Sequence, residues 1–200
     1  MQRNVKRMAS ITHKQFRVML FLFLLEVEEE KTMSTLKELK GKKILILGCC
    51  GSGKSYFSRE LAHATGLPLY HLDKIRWRTD WTFMPREEFI PIIEKIMQEE
   101  KWIIDGNYLS TMELRLAYAD TVFYFDIPTE ECLANVEARK GKTRSDMPDG
   151  MTDRDDPEFI GFIENFKNET APQVEALLEK FGGEIIVFKS RADKDEYLRS

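Results

Sequence analysis

The sequence predicts an α/β fold in which helices cover both faces of a five-stranded parallel sheet. Two observations lead to this prediction. Short continuous apolar runs, which are typical of strands buried on both faces, recur along the chain. Longer segments with apolar residues at helical spacing separate these runs, and such alternation is typical of a three-layer α/β/α architecture.

The first half of this pattern contains three strands and two helices. An apolar run predicts a strand at residues 44–47, and a helix at 53–64 is expected to end at Gly66, because glycine readily adopts the left-handed conformation that ends helices. A second short strand is predicted at residues 67–72. A stripe with a period near 3.6 predicts a helix at 85–98, and a third strand follows at 102–104.

The second half contains two further strands. They are predicted at residues 121–125 and 184–188, where β-branched and aromatic residues cluster. Pro128 opens a helix that reaches about residue 140, since proline is favoured in the first helical turn. A helical pattern at 158–181 contains Pro172, which is expected to kink or divide it. Residues 141–156 are charged and poor in apolar side chains, so we expect a mobile loop there.

The domain prediction separates residues 1–40 from residues 41–200. The first segment carries basic residues, an apolar run at 18–25 and then acidic residues. That run is far shorter than the roughly 20 residues that cross a bilayer, so no transmembrane segment is predicted. We expect a poorly ordered extension, with a membrane-surface anchor as the alternative. The rest is expected to form one domain.

Composition and charge exclude several classes of protein. With 42% apolar residues the chain can bury a core, which excludes a disordered or collagen-like protein. Its 34 acidic and 30 basic residues give a net charge of −4, which argues against direct nucleic-acid binding. Three cysteines show no disulfide framework, so a reducing cytoplasmic location is expected.

The strongest motif follows the first strand and matches G-x-x-x-x-G-K-[ST] at every fixed position. Such a loop turns backbone N–H groups and the start of a helix toward phosphate oxygens. Lys54 is expected to contact the β- and γ-phosphates, and Ser55 to ligate Mg²⁺. The motif therefore predicts a site for ATP and Mg²⁺ at Gly48, Cys49, Cys50, Gly51, Ser52, Gly53, Lys54, Ser55 and the adjoining Tyr56.

Asp105 is predicted to stand beside the magnesium ion, because the third strand ends there and ligands lie at the carboxyl ends of parallel strands. Gly106 and Asn107 follow it and would approach the substrate. A turn-capping role for Asp105 is the alternative.

Asp73 ends the second strand and could orient a phosphoryl acceptor or serve as a base. Arg76 could bind an anionic group of that acceptor, and Trp77 and Trp81 could stack on a ring. The alternatives are a solvated charge pair and ordinary aromatic packing.

A lid is predicted at about residues 140–156. Arg139 and Arg144 flank Gly141, which can act as a hinge, and arginines placed over a transferring phosphoryl group stabilise its charge. A solvated basic loop is the alternative interpretation.

These motifs together resemble one family, the adenylate-kinase-like P-loop proteins known as DNA topology modulation proteins. The matching landmarks are residues 48–55, 71–77, 102–108, 119–121 and 158–159. The resemblance implies a nucleoside-monophosphate-kinase fold, ATP binding and a presumed kinase activity. The second arginine of adenylate kinases is absent after Gly106, and Arg115 is the candidate replacement.

Two functions are compatible with these residues. The first is transfer of the γ-phosphate of Mg-ATP to a small acceptor. We favour a nucleoside monophosphate, and an acceptor hydroxyl with Asp73 as base stays open. The second is a regulatory ATPase associated with nucleic acids. We expect a monomer or a weak homodimer.

Overall fold

Five parallel strands form one sheet in a computed structural model that describes residue 39, residues 42–153 and residues 156–199. The strand order is β2-β3-β1-β4-β5. The register places Ile44 beside both Ile103 and Thr121, and Phe125 beside Phe188. The strands are β1 (Lys43–Gly48), β2 (Leu69–His71), β3 (Trp102–Asp105), β4 (Thr121–Phe125) and β5 (Glu184–Phe188).

Eight helices lie among the described residues and connect or follow the strands. None of them is long and apolar enough to cross a bilayer. They are α1 (Lys54–Thr65), α2 (Leu72–Arg76), α3 (Arg86–Met97), α4 (Leu109–Leu116), α5 (Thr129–Arg139), α6 (Pro157–Glu169), α7 (Ala171–Leu178) and α8 (Arg191–Arg199).

The helices cover both faces of the sheet because successive strand residues point to opposite sides. On one face, Ile44 and Ile46 of β1 join a core with apolar residues of α1, α5, α6 and α8. On the other face, Leu45 and Leu47 join a core with residues of α3, α4 and α7. Leu39 is buried in the first core. The predicted three-layer α/β/α fold with a five-stranded parallel sheet is confirmed.

Most predicted elements appear within a residue or two of their expected limits. The predictions for β4 and β5 match their observed bounds, and Gly66 ends α1 in the left-handed conformation. The helix predicted at 158–181 is divided into α6 and α7, with Pro172 in the first turn of the second. The prediction of a strand over 67–72 was too long, because Leu72 already begins α2.

The loop at residues 141–156 has its own anchors. Thr143 and Thr152 form an antiparallel bridge, and Met147 and Met151 are buried. Residues 154 and 155 of this loop lie outside the described part of the chain, as do residues 1–38 of the predicted extension. Although the loop is rich in charged residues, it thus packs on the domain through the apolar side chains of Met147 and Met151.

All five strands run in the same direction, so their carboxyl ends meet at one edge of the sheet. Gly48, His71 and Asp105 end three neighbouring strands there. Loops that follow such strand ends form the binding crevice of open α/β sheets. The loops after β1, β2 and β3 therefore converge on one place.

Candidate active site

A cavity of about 780 Å³ opens at this carboxyl edge. Its size is that of a typical small-molecule site. Most of the predicted site residues line it, from the motif loop, the ends of β2 and β3, and the predicted lid: Cys50, Gly51, Gly53, Lys54, Ser55, Tyr56, Asp73, Trp77, Asp105, Gly106, Asn107, Arg139 and Arg144. The structure thus brings together groups that are far apart in the chain.

The motif loop between β1 and α1 depends on glycine for its shape. Gly51 has a φ of 81°, and a Cβ atom there would lie 2.2 Å from the carbonyl oxygen of Cys132. Gly53, at the start of α1, has a φ of 95°. Only glycine adopts such angles without strain, so the loop can wrap closely enough to present its backbone amides.

Side chains from two other elements hold this loop in place. The Asn107 side chain exchanges two hydrogen bonds with the backbone of Gly48: the Gly48 N–H donates to Oδ1 at 2.9 Å, and Nδ2 donates to the carbonyl at 2.8 Å. Asn135 Nδ2 of α5 donates to the Gly51 carbonyl at 2.8 Å. The loop is therefore held by side chains at two points, Gly48 and Gly51.

The charges around the motif loop suit phosphate. Lys54 is buried, and its Nζ donates to the Cys49 carbonyl at 2.6 Å. The first turn of α1 contains no acidic residue, so the partial positive charge of the helix start is not opposed there. Arg59 and Arg191 also line the cavity. This donor set fits the triphosphate of a nucleotide.

Oxygen ligands for Mg²⁺ are present but few. Ser55 and Asp105 both line the cavity. Within residues 42–153 and 156–199, no group of three or more acidic, histidine or cysteine side chains could hold a metal alone. Mg²⁺ commonly takes one or two protein ligands and completes its shell with phosphate and water, so the two residues fit that role.

Asp105 also pairs with His71, a contact that the sequence did not predict. His71 Nδ1 lies 2.9 Å from its Oδ2, and both side chains are almost fully buried. The imidazole at the end of β2 thereby orients the carboxylate at the end of β3. His71 therefore has a structural role in holding Asp105.

The three cysteines are free thiols. A hydrogen bond with Cys132, together with burial, raises the pKa of Cys49, and burial raises the pKa of Cys50. Both therefore stay protonated near neutral pH and are poor nucleophiles. Cys49 is buried in the core next to Cys132, so its side chain packs rather than reacts.

Asp73 faces the cavity from the start of α2. Its Oδ1 accepts a hydrogen bond from the Tyr108 hydroxyl at 2.8 Å, and its Oδ2 lies 3.9 Å from Arg144 Nη2. Burial raises the pKa of Asp73 although both neighbours favour the ionised form. Burial also raises the pKa of Tyr108, which stays a donor. Asp73 is thus a positioned carboxylate with a free lone pair.

The predicted lid arginines, Arg139 and Arg144, line the cavity and form ion pairs with nearby carboxylates. Arg144 donates to Asp146 at 2.7 and 3.1 Å and to Asp153 at 2.9 Å. Arg139 donates to the same Asp153. Although burial alone would raise it, the pKa of Asp146 is lowered by its hydrogen bonds with Arg144 and with Ser55. The lid thus contacts the motif loop directly.

Three aromatic side chains form one wall of the cavity, on the turn between α2 and α3. We call residues 77–83 the aromatic turn. Trp77 and Phe83 pair across it with ring centroids 3.9 Å apart, and Trp81 meets Trp77 edge-on at 5.8 Å. Trp81 has a φ of 66°, which is uncommon outside glycine. Trp77 was predicted from sequence as a stacking or packing residue, and Phe83 was missed.

Arg76 and Arg115, which were predicted to bind substrate, do not line the cavity. Arg115 is fully buried, and its guanidinium donates to the carbonyls of Gly106 and Tyr108 at 2.9 and 3.1 Å, and to that of Asn107. Arg76 lies over the rings of Phe83 and Phe89 at 5.3 and 5.1 Å. Arg115 therefore supports the loop after β3, and Arg76 supports the aromatic turn.

Sequence reasoning missed the partners of the predicted residues. Tyr108, Asp146 and Asp153 stand in the recognised segments, but nothing in the sequence pairs them with Asp73 or the lid arginines. The tyrosine directly after Asn107 was the available signal. Tyr108 and Asp73 are 35 positions apart in the chain, whereas Asp146 and Asp153 lie two and nine positions after Arg144.

Comparison with known proteins gives no match. No protein-family model matches the chain, and no curated protein is significantly similar to it.

Proposed function

We propose that this protein is an ATP-dependent phosphotransferase that moves the γ-phosphate of Mg-ATP to a small acceptor. The proposal rests above all on one observation. A glycine loop that matches the phosphate-binding motif opens into the same cavity as Asp73 and the lid arginines. A nucleotide-binding site and a separate acceptor site can therefore share one cavity.

Each group has a role in this proposal. The amides of the motif loop and Lys54 hold the β- and γ-phosphates, because backbone donors and one ammonium suit that charge. Ser55 and Asp105 would hold Mg²⁺, which neutralises charge on the phosphate oxygens. The lid arginines line the same cavity, and in this proposal they stabilise the charge that the equatorial phosphoryl oxygens gain during transfer.

The lid also serves a second requirement of a kinase. A transferase must exclude water, or it hydrolyses ATP instead. Met147 is buried and lines the cavity beside Asp146, so the lid contributes an apolar side chain as well as charged ones to the wall of the site. The resemblance to the DNA topology modulation proteins stays a prediction within this proposal.

Calorimetric titration with Mg-ATP tests the proposal at its first step. We expect one site per chain in the parent protein and at least about tenfold weaker binding in Lys54→Ala, since each factor of ten is about 1.4 kcal/mol. Lys101→Ala, an exposed lysine before β3, is the matched control and should bind like the parent. A parent protein that binds no Mg-ATP would contradict the proposal.

A further inference from the structure

We infer that the acceptor is an uncharged alcohol that carries a flat ring, such as a nucleoside, and that Asp73 removes the proton of its hydroxyl. This inference rests on the proposed phosphotransferase function and names its substrate class. It differs from the nucleoside monophosphate that the sequence favoured. Three observations, on charge, on geometry and on the aromatic turn, support it.

The charge around Asp73 does not suit a phosphate-bearing acceptor. The charged groups that act most strongly on Asp73 are one cation, Arg144, and two further carboxylates, Asp105 and Asp146. Arg144 is already bound by Asp146 and Asp153. An acceptor phosphate at this place would compete with Asp146 and Asp153 for Arg144, whereas an uncharged alcohol would not.

The two arginines that the sequence assigned to an acceptor phosphate pack against other groups, although Arg76 Nη1 is buried without a hydrogen-bond partner among the described residues. Arg115 is fully buried beneath the loop after β3, where backbone carbonyls accept its hydrogen bonds. Arg76 packs its guanidinium against Phe83 and Phe89, and neither arginine lines the cavity. An acceptor phosphate would therefore find neither of the arginines that the sequence assigned to it.

The geometry of Asp73 suits a base. Tyr108 donates to Oδ1 at 2.8 Å and orients the carboxylate, while Arg144 Nη2 lies 3.9 Å from Oδ2. Oδ2 can therefore accept a hydrogen bond from a substrate hydroxyl. The side chain is 36% exposed, so such a hydroxyl can reach it. Burial raises the pKa of Asp73, which makes its carboxylate a stronger base.

The aromatic turn begins one helical turn from this base. The Trp77 N–H donates to the Asp73 carbonyl at 3.0 Å, which ties the turn to the end of α2. Trp77, Trp81 and Phe83 all line the cavity, and Phe83 is 50% exposed. Aromatic faces bind flat rings by stacking, as they do the bases of single-stranded nucleic acids. The wall therefore selects an acceptor with a ring.

The transfer step balances with these groups. The acceptor oxygen attacks the γ-phosphorus, and a new O–P bond forms as the bond between that phosphorus and the β–γ bridging oxygen breaks. ADP leaves with the electron pair of the broken bond. The hydroxyl proton passes to Asp73 Oδ2 and later to solvent. The products are a phosphate monoester, ADP and one proton.

An ADP-release assay with matched acceptor pairs tests the inference. The pairs are adenosine and AMP, guanosine and GMP, cytidine and CMP, uridine and UMP, and thymidine and TMP, with ribose and glycerol as ringless alcohols. We expect at least one nucleoside to exceed its monophosphate tenfold in kcat/KM, and to exceed both ringless alcohols. A faster monophosphate, or no turnover of any nucleoside, overturns the inference. If the protein still binds Mg-ATP in that case, the inference about the acceptor is wrong but the proposed nucleotide site is not.

Variants separate the base from the ring wall. Asp73→Asn should lower kcat by about 10²-fold or more and remove the acid limb of the pH–rate profile, because the amide accepts no proton. Asp149→Asn, an exposed carboxylate, is its control. Trp77→Leu should raise the acceptor KM and leave the ATP KM unchanged, with Tyr118→Leu as the exposed aromatic control. Parent-like kinetics in both site variants would overturn the inference.

The parent pH profile gives a further check. The folded pKa of Asp73 is raised, so the active carboxylate is lost as the pH falls through a value above the ordinary 3.8. Tyr108, Arg144, Asp105 and Asp146 surround it. Arg144 stays charged and Tyr108 protonated across that range. An acid limb that is unchanged in Asp73→Asn would contradict the assignment of Asp73 as base.

Discussion

Replacement of Arg115 by methionine should destabilise the fold rather than weaken acceptor binding. The guanidinium donates to three consecutive carbonyls in the loop after β3, at Gly106, Asn107 and Tyr108. That loop also holds a strained residue, because Tyr108 has a φ of 40°. Arg115 thus keeps in place both the Asn107 contact to the motif loop and the Tyr108 contact to Asp73.

The magnitude follows from these hydrogen bonds. Each bond to a charged donor contributes about 1.5–3 kcal/mol, so three of them set an upper range of roughly 4.5–9 kcal/mol. Methionine avoids the desolvation cost of a buried cation and keeps most of the apolar burial, which offsets part of this loss. Water can also reach the half-buried carbonyls. We therefore expect a loss of about 3 kcal/mol in the free energy of unfolding.

Urea unfolding followed by fluorescence, and thermal unfolding, measure this loss. For a domain of this size, about 3 kcal/mol corresponds to a Tm lower by roughly 6–12 °C. Arg115→Lys keeps the charge but not the planar donor set, and should fall between the parent and Arg115→Met. An unchanged Tm together with a raised acceptor KM would refute the reasoning and restore Arg115 to the substrate site.

The other predictions concern the motif loop and the lid. Gly51→Ala should weaken Mg-ATP binding at least about tenfold by calorimetry, since its Cβ atom meets the Cys132 carbonyl, whereas Gly66→Ala, with open space around it, should bind normally. Asn107→Leu removes both hydrogen bonds to Gly48 and should raise the Kd for Mg-ATP; equal affinity would contradict the anchoring role. Arg139→Ala and Arg144→Ala should each lower kcat by about 10²-fold, which corresponds to about 2.7 kcal/mol, with a smaller change in ATP affinity. If both variants turn over like the parent, the lid has no part in catalysis.

The layered fold was predictable because it depends on local patterns. Apolar runs such as 121–125 are buried on both faces, so their sequence shows strand and burial together. The helices that escaped prediction, α2, α4 and α8, are short, and their apolar content is low or interrupted by charge. Tertiary packing rather than local propensity stabilises such helices.

The candidate site was predictable only where chemistry is local in sequence. The phosphate-binding motif occupies eight consecutive positions, so its spacing carries its geometry. Arg115 shows the limit of this reasoning. Its charge suggested substrate binding, but folding buries it against carbonyls seven to nine residues earlier in the chain. No spacing rule distinguishes a buried arginine that caps a loop from one that faces a ligand.

The most direct test of the phosphotransferase proposal is ³¹P NMR of the parent protein with Mg-ATP and the pooled nucleosides, nucleotides and small alcohols. The account predicts that ADP signals grow together with those of a phosphorylated acceptor, in equal amounts, while inorganic phosphate stays at its level without protein. Lys54→Ala should show neither product. ADP that accumulates with inorganic phosphate alone would contradict the account and indicate an ATPase, and unchanged ATP would contradict both.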